Sequence, residues 1–154
     1  MDLKITTQYI DTESHEQSDQ LEALFAEYIA TLSVSIEPHV VTQLFQLPYF
    51  HGFICFVDNE PAAFAVCFES YSTYKAKKIL NIHDFMVSAH FRGQGVGKAL
   101  LNGIEQYCIA NEYLKITLEV DDDNSVAKKL YSACGYEDHQ VMLKRLFHWQ
   151  KYLC

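Results

Sequence analysis

The chain has 154 residues, 49% hydrophobic, 14% aromatic and 21% charged, a length that can bury a full core and a composition too rich in Phe and Tyr, ten of each, for disorder. Its formal charge of −8, with no segment that concentrates Lys and Arg, speaks against nucleic acid as a partner. The longest apolar run, residues 62–68, falls far short of the ~20 residues of a membrane span, and the start Met1-Asp2-Leu3-Lys4 has no leader pattern, so one soluble, cytoplasmic domain over residues 1–154 with no membrane contact is expected.

Residues 5–10 are β-prone, and a polar run then leads into Leu21, Leu24, Phe25, Tyr28, Ile29 and Leu32, whose three- and four-residue spacing predicts an amphipathic helix. Val41, Leu44, Phe45 and Leu47 predict a short second helix within residues 38–47, closed by Pro48. Residues 53–57 and 62–68 read as strands joined by the turn Asp58-Asn59-Glu60-Pro61, hence a hairpin. After a polar segment, 70–78, comes a third β-type run, 79–87, ending at a polar loop, 88–90. Val96, Leu100, Leu101, Ile104, Tyr107 and Cys108 predict a helix ending near Asn111; residues 116–120 alternate as a strand. Asp121, Asp122, Asp123 and Asn124 supply capping residues for a helix marked by Val126, Leu130 and Cys134 and stopped at Gly135, and residues 140–153 read as one or two closing strands. The order predicts an α/β (α+β) fold, a mixed sheet with helices packed on it.

Of the five cysteines, Cys55, Cys67, Cys108 and Cys134 sit among apolar neighbours and read as core hydrophobes of a reducing compartment, with Cys154 terminal. There is no Cys-x-x-Cys pair, and the seven His include no His-x-x-x-His pair, so no metal site is expected.

The segment that carries chemistry is Arg92-Gly93-Gln94-Gly95-Val96-Gly97-Lys98, which joins a strand directly to a helix with three glycines. Unpartnered N–H groups at a helix N-terminus attract phosphate oxygens, glycines let the backbone come close, and Arg92 and Lys98 add charge. Two nucleotide motifs fail on spacing. The Walker pattern meets Arg92 where it needs glycine and Ala99 where it needs a hydroxyl; the dinucleotide pattern meets Lys98 or Leu100 in place of its last glycine.

The segment resembles the pyrophosphate loop of the GNAT superfamily of acyl-CoA N-acyltransferases, Arg/Gln-x-x-Gly-x-Gly/Ala, at Arg92, Gly95 and Gly97. The preceding strand, residues 82–87, is similar to that family's fourth strand. Residues 124–136 resemble its Asn-x-x-Ala-x-x-Leu-Tyr-x-x-x-Gly-Phe signature, with Asn124, Ala127, Leu130, Tyr131, Gly135 and Tyr136 in place. Ala89 stands where the family often has proline. The resemblance implies a GNAT-type mixed sheet with helices on both faces and a splayed strand pair that binds acetyl-CoA. Its pyrophosphate would lie on Arg92, Gly93, Gln94, Gly95, Val96, Gly97 and Lys98, and its pantetheine along Phe85, Met86 and Val87. Asn124, Ala127, Lys128 and Tyr131 share one helix face; Asn124 would hold the pantetheine and Tyr131 would protonate the leaving thiolate.

Acetyl transfer to an amine needs an oxyanion donor, for which a backbone N–H within residues 84–87 is the natural choice, and a base. His83, Asp84 and Glu119 are the candidates, His83 and Asp84 before Glu119. His83 stands where polyamine acetyltransferases, which this strand also resembles, carry glutamate; Asp84, alternating with Ile82 and Met86, also reads as a buried carboxylate. Tyr71, Tyr74, Phe147, Trp149 and Tyr152, with Glu69, would line the acceptor pocket or else form core or a homodimer interface. The expected acceptor is a small-molecule or peptide amine, the acidity mildly favouring a cationic one. The other reading is a noncatalytic acyl-CoA sensor on the same fold.

Overall fold

The computed structural model describes residues 2–33, 35–138 and 149–153, and the chain divides into two compact units, residues 1–121 and 122–154. The first unit runs β1 (Ile5–Tyr9), α1 (His15–Ala30), α2 (Val40–Phe45), β2 (Phe50–Val57), β3 (Glu60–Ser72), β4 (Lys77–Val87), a 3-10 turn (Ala89–Phe91), α3 (Val96–Ala110) and β5 (Lys115–Leu118). The strands form a five-stranded sheet in the order β1-β2-β3-β4-β5, antiparallel throughout except for the parallel pair β4–β5.

Two-residue alternation sorts the strand side chains onto two faces. Ile54, Phe56, Phe64, Val66 and Met86 meet Leu21, Leu24 and Phe25 of α1 and Val41 and Leu44 of α2 in one buried cluster. Each such Leu, Phe or Val contributes about 1.5–3 kcal/mol by leaving water. Ser14 starts α1 as its N-cap, its side chain accepting from the Gln17 N–H at 3.2 Å. On the opposite face α3 buries Val96, Leu100, Leu101 and Ile104, and Thr7 of β1 donates its hydroxyl to the Ala99 carbonyl at 3.0 Å. The closeness of that packing requires Gly103: a Cβ there would lie 2.4 Å from a Thr7 methyl.

The expected elements are present with shifted bounds. β2 begins at Phe50, and the hairpin turn shrinks to Asp58 and Asn59, both left-handed with φ of 48° and 69°. Pro61 lies inside β3, beside a register irregularity that relieves it of ladder donation. The polar segment 70–78 is mostly strand, because β3 and β4 extend as a hairpin to Ser72 and Lys77, and β5 stops at Leu118. In the second unit α4 covers Ser125–Ala133. Residues 139–148, most of the predicted closing strands, lie outside the described residues, and 149–153 carry no regular structure. Cys55, Cys67 and Cys108 are buried as expected, while Cys134 is half-buried at the end of α4. Among the described residues no helix is long and apolar enough to cross a membrane.

Candidate functional site

The segment between β4 and α3 exposes backbone donors because its carbonyls are engaged by its own side chains. The Arg92 Nε donates to the Val87 carbonyl at 3.0 Å, and the Gln94 amide donates to the His90 carbonyl at 3.1 Å. From α1, Glu27 accepts the Ala89 N–H at 2.9 Å; that bond, ahead of the opposing effect of burial, holds its carboxyl below the usual range. Gly93 and Gly95 are left-handed, with φ of 76° and 82°, yet an added Cβ at either would meet nothing within 4 Å. Backbone conformation, with open space above it, is therefore what calls for glycine at these two positions. Buried Val96 anchors the start of α3, whose first backward bond runs from the Ala99 N–H to the Gly95 carbonyl. The N–H groups of Val96, Gly97 and Lys98 precede that bond, at the positive end of the helix dipole. Arg92, Gly93, Gln94, Gly95 and Lys98 are exposed.

The adjoining edge of β4 parts from its neighbour. Parallel pairing with β5 ends at Ile82–Leu118, whereas β4 runs on to Val87. The Ser88 N–H bonds to the Ala62 carbonyl, so the next pair, Ala63–Val87, is of the kind whose N–H and C=O groups point away from each other's strand. Val87 thus directs its backbone away from β3 toward the side β5 has left, and two residues back Phe85 repeats that direction. Met86 is placed differently: its backbone faces β3 and its side chain is in the core.

A β-bulge corrects the reading of Asp84. Ile82 pairs with Cys67, Asp84 with Val66, and His83 is the extra residue between them. Asp84 therefore does not share a face with Ile82; it lies with Met86 on the side of α1 and α2. His83 is on that side too, its ring edge-on to Phe68 at 5.2 Å. The bulge brings the two side chains together, His83 Nδ1 lying 3.1 Å from Asp84 Oδ2. The carboxylate is 19% exposed and the imidazole 60%. Tyr28 of α1 meets the same carboxylate. Burial first, then the Asp84 charge and a hydrogen bond to it, push the phenol's pKa up. Glu119 is exposed beyond the end of β5.

In the second unit Asn124 caps α4, its Oδ1 accepting the Ala127 N–H at 3.1 Å, which leaves the amide nitrogen for other partners. Lys128 turns back onto Asp122 at 2.6 Å and, by this bond above all, lowers that carboxyl's pKa. Tyr131 is buried, its ring 5.9 Å from that of Tyr136.

At the other end of the sheet is a polar cluster that sequence reasoning missed. His51 of β2 contacts Glu69 of β3 through Nε2 at 3.0 Å and the hydroxyls of Tyr9 and Tyr107 through Nδ1 at 2.9 and 3.3 Å. Tyr113 donates to Glu69 Oε1 at 2.6 Å, and Lys78 stands over the Tyr113 ring, 4.4 Å from its centroid. Glu69, expected to charge an acceptor pocket, is held here instead. Tyr71 and Tyr74 are exposed, as are Trp149 and Tyr152 in the second unit, while Phe147 lies outside the described residues.

The family model for the Acetyltransferase (GNAT) family matches residues 18–136. The chain belongs to this family. GNAT acetyltransferases use acetyl-CoA, in keeping with the loop of outward N–H groups. An uncharacterized N-acetyltransferase of Methanocaldococcus jannaschii is 30% identical over 91 residues, which make up 58% of this chain and span 40% of that relative's length. Two crystal structures share the fold. One is an aminoglycoside acetyltransferase from an uncultured soil metagenomic sample in complex with sisomicin (TM-score 0.77, 19% identity, 99% of this chain and 97% of that one). The other is an aminoglycoside N-acetyltransferase in complex with CoA (TM-score 0.75, 15% identity, 100% and 98%).

Proposed function

We propose that the protein is an acetyl-CoA-dependent N-acetyltransferase that moves an acetyl group to a primary amine by direct attack in a ternary complex. The observation that carries this reading is the join of an open β4 edge to a loop of outward N–H groups, in a chain of the GNAT family. Residues 92–98 would bind the pyrophosphate with backbone donors, assisted by the local charge of Arg92 and Lys98. The backbone of Phe85 and Val87, directed away from β3, would pair with the pantetheine as with a further strand.

The bulge supplies the chemistry. With Nδ1–H donated to Asp84, His83 presents its Nε2 lone pair and takes the proton of the incoming ammonium. The neutral amine nitrogen then attacks the thioester carbonyl carbon. An N–H directed away from β3 in residues 85–87 stabilises the oxyanion as the N–C bond forms, and the C–S bond breaks as it collapses. Tyr131 is assigned the proton that the departing thiolate takes up, and Asn124 the pantetheine amides. A cationic amine fits the carboxylate beside His83 and the net charge; aminoglycosides, on which two structural neighbours act, fall in that class.

Calorimetric titration with acetyl-CoA, CoA and ATP, followed by an amine panel scored for CoA release, tests this. Binding of acetyl-CoA and CoA without ATP is expected, with turnover of at least one amine. ATP binding alone would overturn the reading, and acetyl-CoA binding without turnover of any amine would favour a noncatalytic acyl-CoA sensor. His83→Ala and Asp84→Ala are each expected to lower kcat by about 10²-fold or more and to alter its pH profile. If both leave rate and profile intact, the base lies elsewhere.

A further inference from the structure

We infer that Tyr28 of α1 is a positioning residue for the His83–Asp84 pair: its hydroxyl donates to the Asp84 carboxylate and so fixes the side chain that orients His83. This rests on the assignment of His83 as base. Sequence pattern alone places Tyr28 on the apolar stripe of α1, and no feature of the sequence ties it to a catalytic strand.

The position of the phenol is determined independently of Asp84. The Tyr28 ring is held edge-on between Phe25 of its own helix and Phe64 of β3, with both centroids 5.8 Å away and interplanar angles of 74° and 75°. Across β3, Phe64 pairs with Met86 and Val66 pairs with Asp84, so the ring stands over the part of the sheet on which Asp84 emerges. The hydroxyl reaches the carboxylate as a donor, because burial and the Asp84 charge both oppose phenolate. A carboxylate without that second donor would be free to turn about its side-chain torsions, and His83, 60% exposed, has only Asp84 and the Phe68 ring edge to hold it against solvent. The phenol therefore converts the packing of α1 into an orientation for the imidazole, as outer-shell partners do for reactive groups elsewhere.

Few other charges bear on the trio. Asp121, beyond β5, acts on the phenol through its charge, and the Cys67 thiol of β3 feels Asp84; β3 presents only the Phe68 ring to His83. Neither Asp121 nor Cys67 supplies a donor to the carboxylate.

Tyr28→Phe tests the inference, since it keeps the ring between Phe25 and Phe64 and removes only the donor. Relative to wild type, kcat is expected to fall about three- to tenfold, with KM and CoA affinity unchanged. The acid limb of the profile should move to higher pH by about half a unit, because a carboxylate with fewer donors holds a protonated imidazole better. In a His83→Gln background the same change should cost less than about twofold. Ring-nitrogen NMR should show the His83 Nδ1–H form diminished in Tyr28→Phe. An equal loss in both backgrounds, or a loss with an unmoved pH profile and an unchanged histidine spectrum, would overturn the positioning role. A His83→Gln enzyme as active as wild type would overturn the base assignment itself, and is recognised in the single variant before Tyr28 is touched.

Discussion

At the end of the sheet where β4 gives way to α3, hydrogen-bonding capacity is left open; at the end where β1 and α3 finish, it is closed within the protein. In the first region the side chains of Arg92, Gln94 and Glu27 occupy carbonyls and a turn amide, so that the loop's shape is fixed while the amides of residues 96–98 point outward. In the second, His51, Glu69, Tyr9, Tyr107 and Tyr113 satisfy one another, and stacked rings cover them, Tyr9 on Tyr107 at 4.5 Å. One end uses backbone donors that no mutation of a side chain removes, and the other uses side chains alone. Polar residues concentrated in one place therefore do not by themselves mark a site. The question is whether their partners are already inside the protein.

Changing the closed end should break stability without touching the ligand. His51→Ala leaves a hole beneath Tyr9 and Tyr107 and takes from Glu69 its imidazole partner; the expected loss is about 2–3 kcal/mol of unfolding free energy, read by denaturant titration. Affinity for CoA, read by calorimetry, should stay within about twofold of wild type. A large loss of affinity with unchanged stability would reverse the roles assigned to the two ends.

Changing the open end should do the converse. Gly95→Val meets no atom, but it forces a β-branched residue into left-handed backbone at φ 82°. Strain of about 1–2 kcal/mol is expected, relieved by a local shift of the loop that misaims the amides. Affinity for CoA should then fall roughly tenfold or more, since a 1.4 kcal/mol difference corresponds to that factor. If affinity is retained while stability falls, the outward amides of α3 are not the phosphate site.

These regions differ also in how far they could be read from residue order. Arg92 to Lys98 is a local pattern at a strand–helix junction, and local conformation follows from neighbours: glycine where φ is positive, a helix beginning at Val96. Asn124 as the cap of α4 was legible for the same reason. His83 and Asp84 could be named as candidates, but the alternation of Ile82, Asp84 and Met86 looks unbroken along β4. The bulge is a property of its register with β3, and a register is set by two strands. Tyr28 and His51 were hidden more thoroughly. Tyr28 sits on a helical stripe where an aromatic needs no second explanation, and the partners of His51 are spread from Tyr9 to Tyr113, so only the folded sheet end makes them neighbours.

The smallest expected effect concerns the charge of His51. Burial lowers the pKa of its imidazole in the folded state, and Glu69, by charge and hydrogen bond, raises it in part; burial is the larger, so the net direction is down from the ordinary 6.5. An unfolded chain therefore takes up this proton before the folded protein does. As pH falls through about 6.5, the unfolded state binds more protons and stability declines, until folded His51 is protonated in turn and the decline from this group ends. Above pH 7 both states are neutral here and the contribution is level. His51→Gln keeps a polar side chain and removes the titration, so the stability difference between wild type and variant should narrow from pH 7.5 to 5.5. Because Glu69 cancels part of the burial effect, a Glu69→Gln background should enlarge the slope. A difference that widens as pH falls would mean that Glu69 outweighs burial and that the closed end holds an imidazolium, an ion pair of the kind for which Lys78 over Tyr113 would be a poor neighbour.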